Sequence, residues 1–194
     1  MLGNRVILLG VDKNIADNDI LDANAEMVAA ANYHIPMFWL LLFEVASIKQ
    51  FSSFNEPSDQ GFDKEGLYKE NLDNDGSDKN NPVPYPVLVC NTVKGIERLR
   101  MRIQLLETYL TGEEKGLAKQ WVQALTQVKF PYLAIDTYEL CNQLGSVDAC
   151  YTQLNEELES LEQLATRPQQ CLDTFIKNNR WERNNSISLG GFGW

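Results

Sequence analysis

The pattern of hydrophobic and polar positions along this chain predicts short strands set between longer helices. Aliphatic runs bounded by turn-forming residues predict strands over Arg5 to Val11, Val87 to Val93, Phe130 to Ile135 and, near the end, Ser186 to Leu189. We therefore expect a mixed α+β fold, dominated by helix, in which helices cover a small sheet of three or four strands.

Two helices of different character are predicted in the first 51 residues. Ala23 to Ala31 is rich in alanine and predicts a short helix. Pro36 to Phe51 begins with residues that are apolar on nearly every face, which is typical of a helix in the middle of a core. Pro36 suits its first position, because an N–H there would have no partner within the helix.

Amphipathic helices are predicted through most of the second half, where apolar residues recur at three- and four-residue steps. They span Lys94 to Leu110, Glu113 to Lys129, Asp136 to Gly145, Ser146 to Ala165 and Pro168 to Asn178. The first two should form a hairpin, since only Thr111 and Gly112 separate them. Together with the strands before and after, this hairpin has the order of a crossover unit, but its two-helix connection disfavours a doubly wound sheet.

An acidic segment from Asn55 to Pro86 separates the two halves. It contains eight acidic and three basic residues, which accounts for half of the formal net charge of −10. Few apolar residues are present to offset the entropy of ordering it. We predict one domain over residues 1–194 that carries a mobile acidic insertion at about 55–86.

Metal and cofactor sites are not predicted. Asn71, Asp73 and Asp75 match the first ligand positions of a calcium loop, but Pro82 stands where a bidentate glutamate is required. The four cysteines, which are Cys90, Cys141, Cys150 and Cys171, show no C-x-x-C spacing. We expect them to be reduced thiols, most of them buried in helix faces.

The charge balance restricts the partners. An excess of ten acidic residues disfavours nucleic acid and anionic membranes, which repel a negative protein. A basic protein, a cation or simple solubility remain compatible with it. The longest apolar run, Ile35 to Phe43, is far shorter than the ~20 residues that span a bilayer. With no visible targeting signal, we expect a cytoplasmic protein.

Catalytic motifs are not evident. His34 is the single histidine, and its position before the most apolar segment favours a structural role, although a Cys–His pair stays open. There is no G-x-S-x-G elbow. Asp136 and Glu139 follow a predicted strand and form an alternative carboxylate site, but helix capping explains both residues equally well.

Charged helix faces supply the remaining candidates. Glu156, Glu157, Glu159 and Glu162 are predicted to form the acidic outer face of one helix, where they could bind a partner or simply be solvated. The basic cluster comprises Lys94, Arg98, Arg100 and Arg102. It could bind an anion, but an exposed surface on which Arg98 and Arg102 balance nearby acids is favoured.

The N-terminal part resembles an uncharacterised group of small bacterial proteins. The resemblance lies in the Asn4-Arg5 opening of a leucine-rich strand and in the later Ile35-Pro36 start of an apolar segment. It covers about the first 45 residues, with Val6-Ile7 in place of the usual aromatic residue. It implies a bacterial source and carries over no functional residue.

The leading functional hypothesis is a non-catalytic protein that binds a basic protein through acidic surface. An immunity protein that masks a cationic toxin is its concrete form. The alternatives are an enzyme of unrecognised class that uses carboxylates, and a scaffold or regulatory subunit. The sequence leaves the oligomeric state open.

Overall fold

The computed structural model describes residues 5–14, 24–32, 34–51, 84–179 and 189–190. Within these ranges the chain forms a five-stranded sheet with helices packed against it. The mixed α+β class is confirmed, with five strands instead of the expected three or four. None of the helices in these ranges is long and apolar enough to cross a membrane.

The sheet has the strand order β2-β1-β5-β4-β3, and every neighbouring pair is antiparallel. The strands are β1 (Arg5–Val11), β2 (Ala25–Asn32), β3 (Ile48–Phe51), β4 (Tyr85–Asn91) and β5 (Tyr132–Asp136). The predictions for β1, β4 and β5 are confirmed, with small shifts at the ends of β4 and β5. Strands β2 and β3 were not predicted.

Strand β2 occupies the segment that was expected to form a helix over Ala23 to Ala31, so that prediction is wrong. Alanine favours a helix, but only by about 0.7 kcal/mol per residue or less. Strand β2 pairs along the whole of β1, from Arg5 opposite Asn32 to Val11 opposite Ala25. Pairing with a partly buried neighbouring strand outweighs the weak local preference.

The apolar segment from Pro36 to Phe51 does not form the single buried helix that was expected. It divides into helix α1 (Met37–Leu40), a 3-10 turn (Val45–Ser47) and strand β3. The predicted burial of its apolar start is correct, because every residue from 35 to 43 is buried.

Helices α2 (Thr92–Leu105) and α3 (Gly112–Leu125) form the expected hairpin between β4 and β5. Because two helices traverse the sheet in succession, β5 returns antiparallel to β4, whereas a crossover unit would make the two strands parallel. Gly95 lets α2 approach the sheet closely, since a Cβ at this position would lie 2.8 Å from the Cys90 Sγ.

Two arginines of α2 hold the turn that follows α1. Arg102 is 5% exposed and donates hydrogen bonds to the carbonyl oxygens of Leu41 and Phe43. Arg98 forms an ion pair with Glu44 at 2.8 Å. Arg102, together with Arg98, which also donates to the Leu42 carbonyl, satisfies carbonyls that a longer helix would bond internally. The placement of Arg102 on an exposed surface was therefore wrong, because this arginine is buried and stabilises the fold.

Three further helices follow β5. They are α4 (Tyr138–Leu144), α5 (Val147–Glu162) and α6 (Pro168–Asn179). Gly145 ends α4 with a φ of 80°, a left-handed conformation that favours glycine. The Ser146 Oγ then accepts a hydrogen bond from the Ala149 N–H and caps α5.

The described C-terminal residues join the core next to α1 and α3. The Trp39 ring stacks on Trp121 with centroids 5.9 Å apart, and its N–H donates to the Gly190 carbonyl at 3.0 Å. Leu189 is fully buried and helical, so it does not continue the expected strand over Ser186 to Leu189. Residues 186–188 lie outside the described ranges.

Most of the predicted acidic insertion also lies outside the described residues, together with its calcium-type motif. Only residues 84–86 of the 55–86 segment are described, and Tyr85 and Pro86 already belong to β4.

Candidate functional site

Helix α5 packs one side against the core and presents acidic residues to solvent on the other. Its inward residues include Cys150, Leu154, Leu158 and Leu161. Asp148, Glu156, Glu159 and Glu162 are exposed. At about 100° per residue, these four acids fall in one stripe about 120° wide. They are called the acidic face of α5 below.

Glu157 does not belong to the acidic face, so its predicted placement there was wrong. It is fully buried and lies about 180° from Asp148 around the helix. The Gln153 Nε2 donates a hydrogen bond to its Oε1 at 3.0 Å. Grouping the glutamates by charge concealed this difference. The position of Glu157 on the helix indicates its burial. It follows Cys150 by seven residues and precedes Leu161 by four, which places it on the same side of the helix as these apolar residues.

The acidic face forms no ion pair with a basic side chain in the described part of the chain. No basic side chain there lies within ion-pair distance of Glu156, Glu159 or Glu162, and α5 itself contains neither lysine nor arginine. Glu162 acts only at longer range on Arg102, whose pKa is lowered to about 10, chiefly by burial. The negative electrostatic potential of this face can therefore act on an external partner.

An exposed tyrosine accompanies the acidic face. Tyr151 is 43% exposed and follows Asp148 by three residues, a spacing that makes them neighbours on the helix surface. Its carbonyl accepts a hydrogen bond from the Asn155 Nδ2 at 3.1 Å. A tyrosine ring attracts cations and supplies apolar contact area. Sequence reasoning missed Tyr151, although its spacing from Asp148 was visible.

The alternative carboxylate, Asp136, lies where β5 meets α4. Its Oδ1 accepts a hydrogen bond from the Tyr138 N–H at 3.0 Å, and the Tyr85 hydroxyl donates to the same carboxylate. Burial raises the pKa of Asp136 to about 6, against the lowering effect of these two hydrogen bonds, and nearby Glu139 adds to the rise. The pKa of Tyr85 is also raised, mainly by burial and then by the Asp136 charge.

An aromatic cluster lies next to Asp136. The rings of Tyr85 and Tyr138 meet edge to face at 5.4 Å, and those of Tyr85 and Phe51 do so at 5.8 Å. Phe51 and Tyr85 are 3% and 4% exposed. The carboxylate therefore lies beside a packed aromatic cluster.

The capping roles predicted for Asp136 and Glu139 are met only in part. Thr137 is the N-cap of α4, and its hydroxyl donates to the Pro86 carbonyl. Asp136 precedes this N-cap by one residue, and its carboxylate accepts a hydrogen bond from the Tyr138 N–H at the start of the helix. Glu139 is half-buried in the first turn.

The cysteines are all buried and unbridged. Cys141 and Cys150 are neighbours, and a hydrogen bond from the Cys150 thiol to Cys141, together with burial, raises the pKa of Cys150. Cys171 lies apart and donates to the Ser160 carbonyl at 2.7 Å. No cluster of metal-ligating side chains occurs in the ranges that the structure describes.

His34 is half-buried, and burial lowers its pKa, opposed by a hydrogen bond with the Asn32 backbone. No hydrogen bond links it to any of the four cysteines within the described residues. The Cys–His arrangement left open by the sequence is therefore not formed by these residues.

A groove of about 530 Å³ lies between β2 and the end of α3. Strand β2 contributes Glu26, Met27, Val28 and Ala29 to one wall. The facing wall includes Trp121, Ala124, Val128, Lys129 and Phe130. The groove is thus mostly apolar, with one acidic and one basic residue. No sequence pattern indicates this groove, because its two walls come from segments about 100 residues apart.

No family model, no curated protein and no solved structure matches this chain. The functional proposals therefore depend on its own residues and their surroundings.

Proposed function

We propose that this protein is a non-catalytic binding protein that engages a basic protein through the acidic face of α5. The observation that carries the proposal is a set of exposed carboxylates on one helix with no ion-pair partner in the described residues. On many exposed helices, bases three or four residues away offset such charges. Helix α5 contains no base, so its negative potential can attract a cationic surface.

Tyr151 favours protein recognition over simple solubility. A surface that only maintains solubility has no need of an exposed aromatic ring, whereas tyrosine is enriched in binding hot spots. An arginine or lysine of a partner can contact the Tyr151 ring while it pairs with Asp148. The net charge of −10 further favours a basic protein over nucleic acid or an anionic membrane.

The concrete form of the proposal is a bacterial immunity protein that masks a cationic toxin. Its support is the charge, together with the resemblance of the N-terminal residues to small bacterial proteins. A scaffold or regulatory subunit would use the same surface, and the identity of the partner distinguishes these roles.

Affinity purification of the full chain from its source cells tests the proposal. The wild type is compared with Glu156→Lys/Glu159→Lys and with the control Glu97→Lys/Glu107→Lys, which changes the net charge equally at exposed sites on and just after α2. The wild type and the control should retain the same basic protein, and the α5 variant should lose it. Equal retention by all three proteins contradicts the proposal.

A second candidate function is acid–base catalysis by Asp136. The raised pKa, to about 6, would let this carboxyl exchange a proton near neutral pH. Its present contacts with Tyr85 and the Tyr138 N–H also have a purely structural explanation. An activity that is lost in Asp136→Asn while the fold persists would favour catalysis over the binding role.

A further inference from the structure

The chain reaches the groove between β2 and α3 at Gly190. This residue is buried and lines the groove, and Leu189 before it is fully buried. The Gly190 carbonyl accepts a hydrogen bond from the Trp39 N–H at 3.0 Å, and the Trp39 ring stacks on Trp121, which belongs to the groove wall. These contacts fix the point at the groove from which the following residues continue.

The four residues after Gly190 lie outside the described ranges, and their sequence suits an apolar groove. They are Gly191, Phe192, Gly193 and Trp194, which carry two large rings and no charged side chain. Four extended residues span about 13 Å, so both rings are within reach of a groove that begins at Gly190. Side chains two residues apart on an extended chain project to the same side, which would bring the two rings into the groove together.

We propose that Phe192 and Trp194 occupy this groove and hold β2 against the end of α3. The two rings would contact Met27 and Val28 on the β2 side and Phe130 on the facing wall. Met27 is 61% exposed, so these contacts remove apolar surface from water. A volume of about 530 Å³ falls in the range of pockets that enclose large apolar groups.

Covalent continuity favours these residues over a separate peptide as the occupant. A segment joined to the groove wall by a short connection has an effective concentration on the order of a millimolar. A partner peptide would have to compete against that concentration. The groove is therefore open to another molecule only when residues 191–194 leave it.

Charge distinguishes residues 191–194 from two other segments outside the described ranges. Residues 15–23 contain three aspartates and no base, and residues 55–83 contain eight acids and three bases. The groove wall is mostly apolar, with Glu26 and Lys129 as its charged residues, so burying further carboxylates there would cost free energy. The proposal does not depend on the function proposed for α5, and either can fail without the other.

Photo-cross-linking in the full chain tests where residue 192 lies. p-Benzoylphenylalanine replaces Phe192, and a second protein carries it in place of Phe62 as the control in the acidic segment. Irradiation should join residue 192 to residues 26–29 or 121–130 of the same chain, and mass spectrometry locates the product. The control should not react with these residues. No product from residue 192, a product with other residues or with a second copy, or a product between residue 62 and the groove overturns the proposal.

Removing the two rings should loosen β2. Phe192→Ala/Trp194→Ala should speed amide exchange in β2 by about tenfold or more and leave β3 unchanged. It should also raise the binding of a hydrophobic fluorescent dye by about threefold or more, because the groove becomes open. The matched variant Phe62→Ala/Tyr68→Ala removes two rings from the acidic segment and should change each quantity less than about twofold. Unchanged exchange in β2, or equal effects of the two variants, overturns the proposal.

Discussion

Two consecutive glutamates of α5 have opposite surroundings, because one lies on the buried side of the helix and the other on its exposed side. Glu157 is fully buried and accepts a hydrogen bond from Gln153. Glu156 faces solvent and has no ion-pair partner among the described residues. The two side chains have the same chemistry, so their surroundings alone assign them different roles.

The same distinction applies to other charged residues. Arg102 and Asp136 are shielded from solvent and have hydrogen-bond partners within the chain. Desolvation makes such groups expensive unless those partners are present, so they act on stability. The acidic face of α5 is solvated and contributes little to stability, so its expected role lies in recognition.

Removing a buried charged group should have the largest effect. Arg102→Met loses the hydrogen bonds to the Leu41 and Phe43 carbonyls and should lower the free energy of unfolding by about 3 to 5 kcal/mol. Arg100→Met, at an exposed site on the same helix, should change it by about 0.5 kcal/mol or less. Urea unfolding measures both variants. Similar losses would show that the buried arginine has no special role.

Asp136 should make stability depend on pH. Its pKa is about 6 in the folded chain, whereas an unperturbed aspartate has a pKa of 3.8. The folded chain therefore holds this proton more tightly than the unfolded chain. The contribution of Asp136 to the free energy of unfolding should therefore fall as pH rises from 4 to 6, by on the order of 3 kcal/mol. Asp136→Asn should remove this component. Parallel pH profiles of the two proteins would contradict the assignment.

The two neighbouring glutamates give a sharper comparison within one helix. Glu157→Ala leaves a cavity and an unsatisfied Gln153 amide, and should lower the free energy of unfolding by about 1 to 3 kcal/mol. Glu156→Ala should change it by about 0.5 kcal/mol or less. Thermal and urea denaturation should agree on this order. A reversed order would mean that the two faces of α5 are wrongly assigned.

Tyr151 should have the smallest effect on stability and a measurable effect on partner binding. Tyr151→Ala should change the free energy of unfolding by about 0.5 kcal/mol or less. It should weaken the complex with the basic partner by about 1 kcal/mol or more, while Tyr151→Phe retains most of the affinity. Calorimetric titration of both variants checks this. Unchanged affinity in Tyr151→Ala would remove the tyrosine from the interface.

Much of the second half of the fold could be predicted because its segments specify their own structure. The apolar spacing in α2 and α3, and the Gly145-Ser146 stop and cap, are local properties. Strand β2 was missed because pairing with β1 decides its conformation, and alanine alone does not indicate pairing. The division of Pro36 to Phe51 depends in part on Arg102, which lies more than fifty residues away.

The candidate sites, too, could be predicted only where the sequence signal is local. Three of the four glutamates predicted for the acidic face of α5 belong to it, since Glu156, Glu159 and Glu162 are exposed. Glu157 was assigned wrongly because charge was given more weight than position. No local signal indicates the contact between Tyr85 and Asp136 or the groove beside β2, because each joins segments that are far apart in sequence.

The most direct test of the central claim is the association rate of the basic partner as a function of salt. If the acidic face of α5 steers the encounter, the rate for the wild type should fall steeply as screening shortens to about 8 Å at physiological ionic strength. Glu156→Lys/Glu159→Lys should associate slowly at every salt concentration, and Glu97→Lys/Glu107→Lys should follow the wild type. A wild-type rate that does not respond to salt, or equal rates for the two reversed variants, would contradict the account.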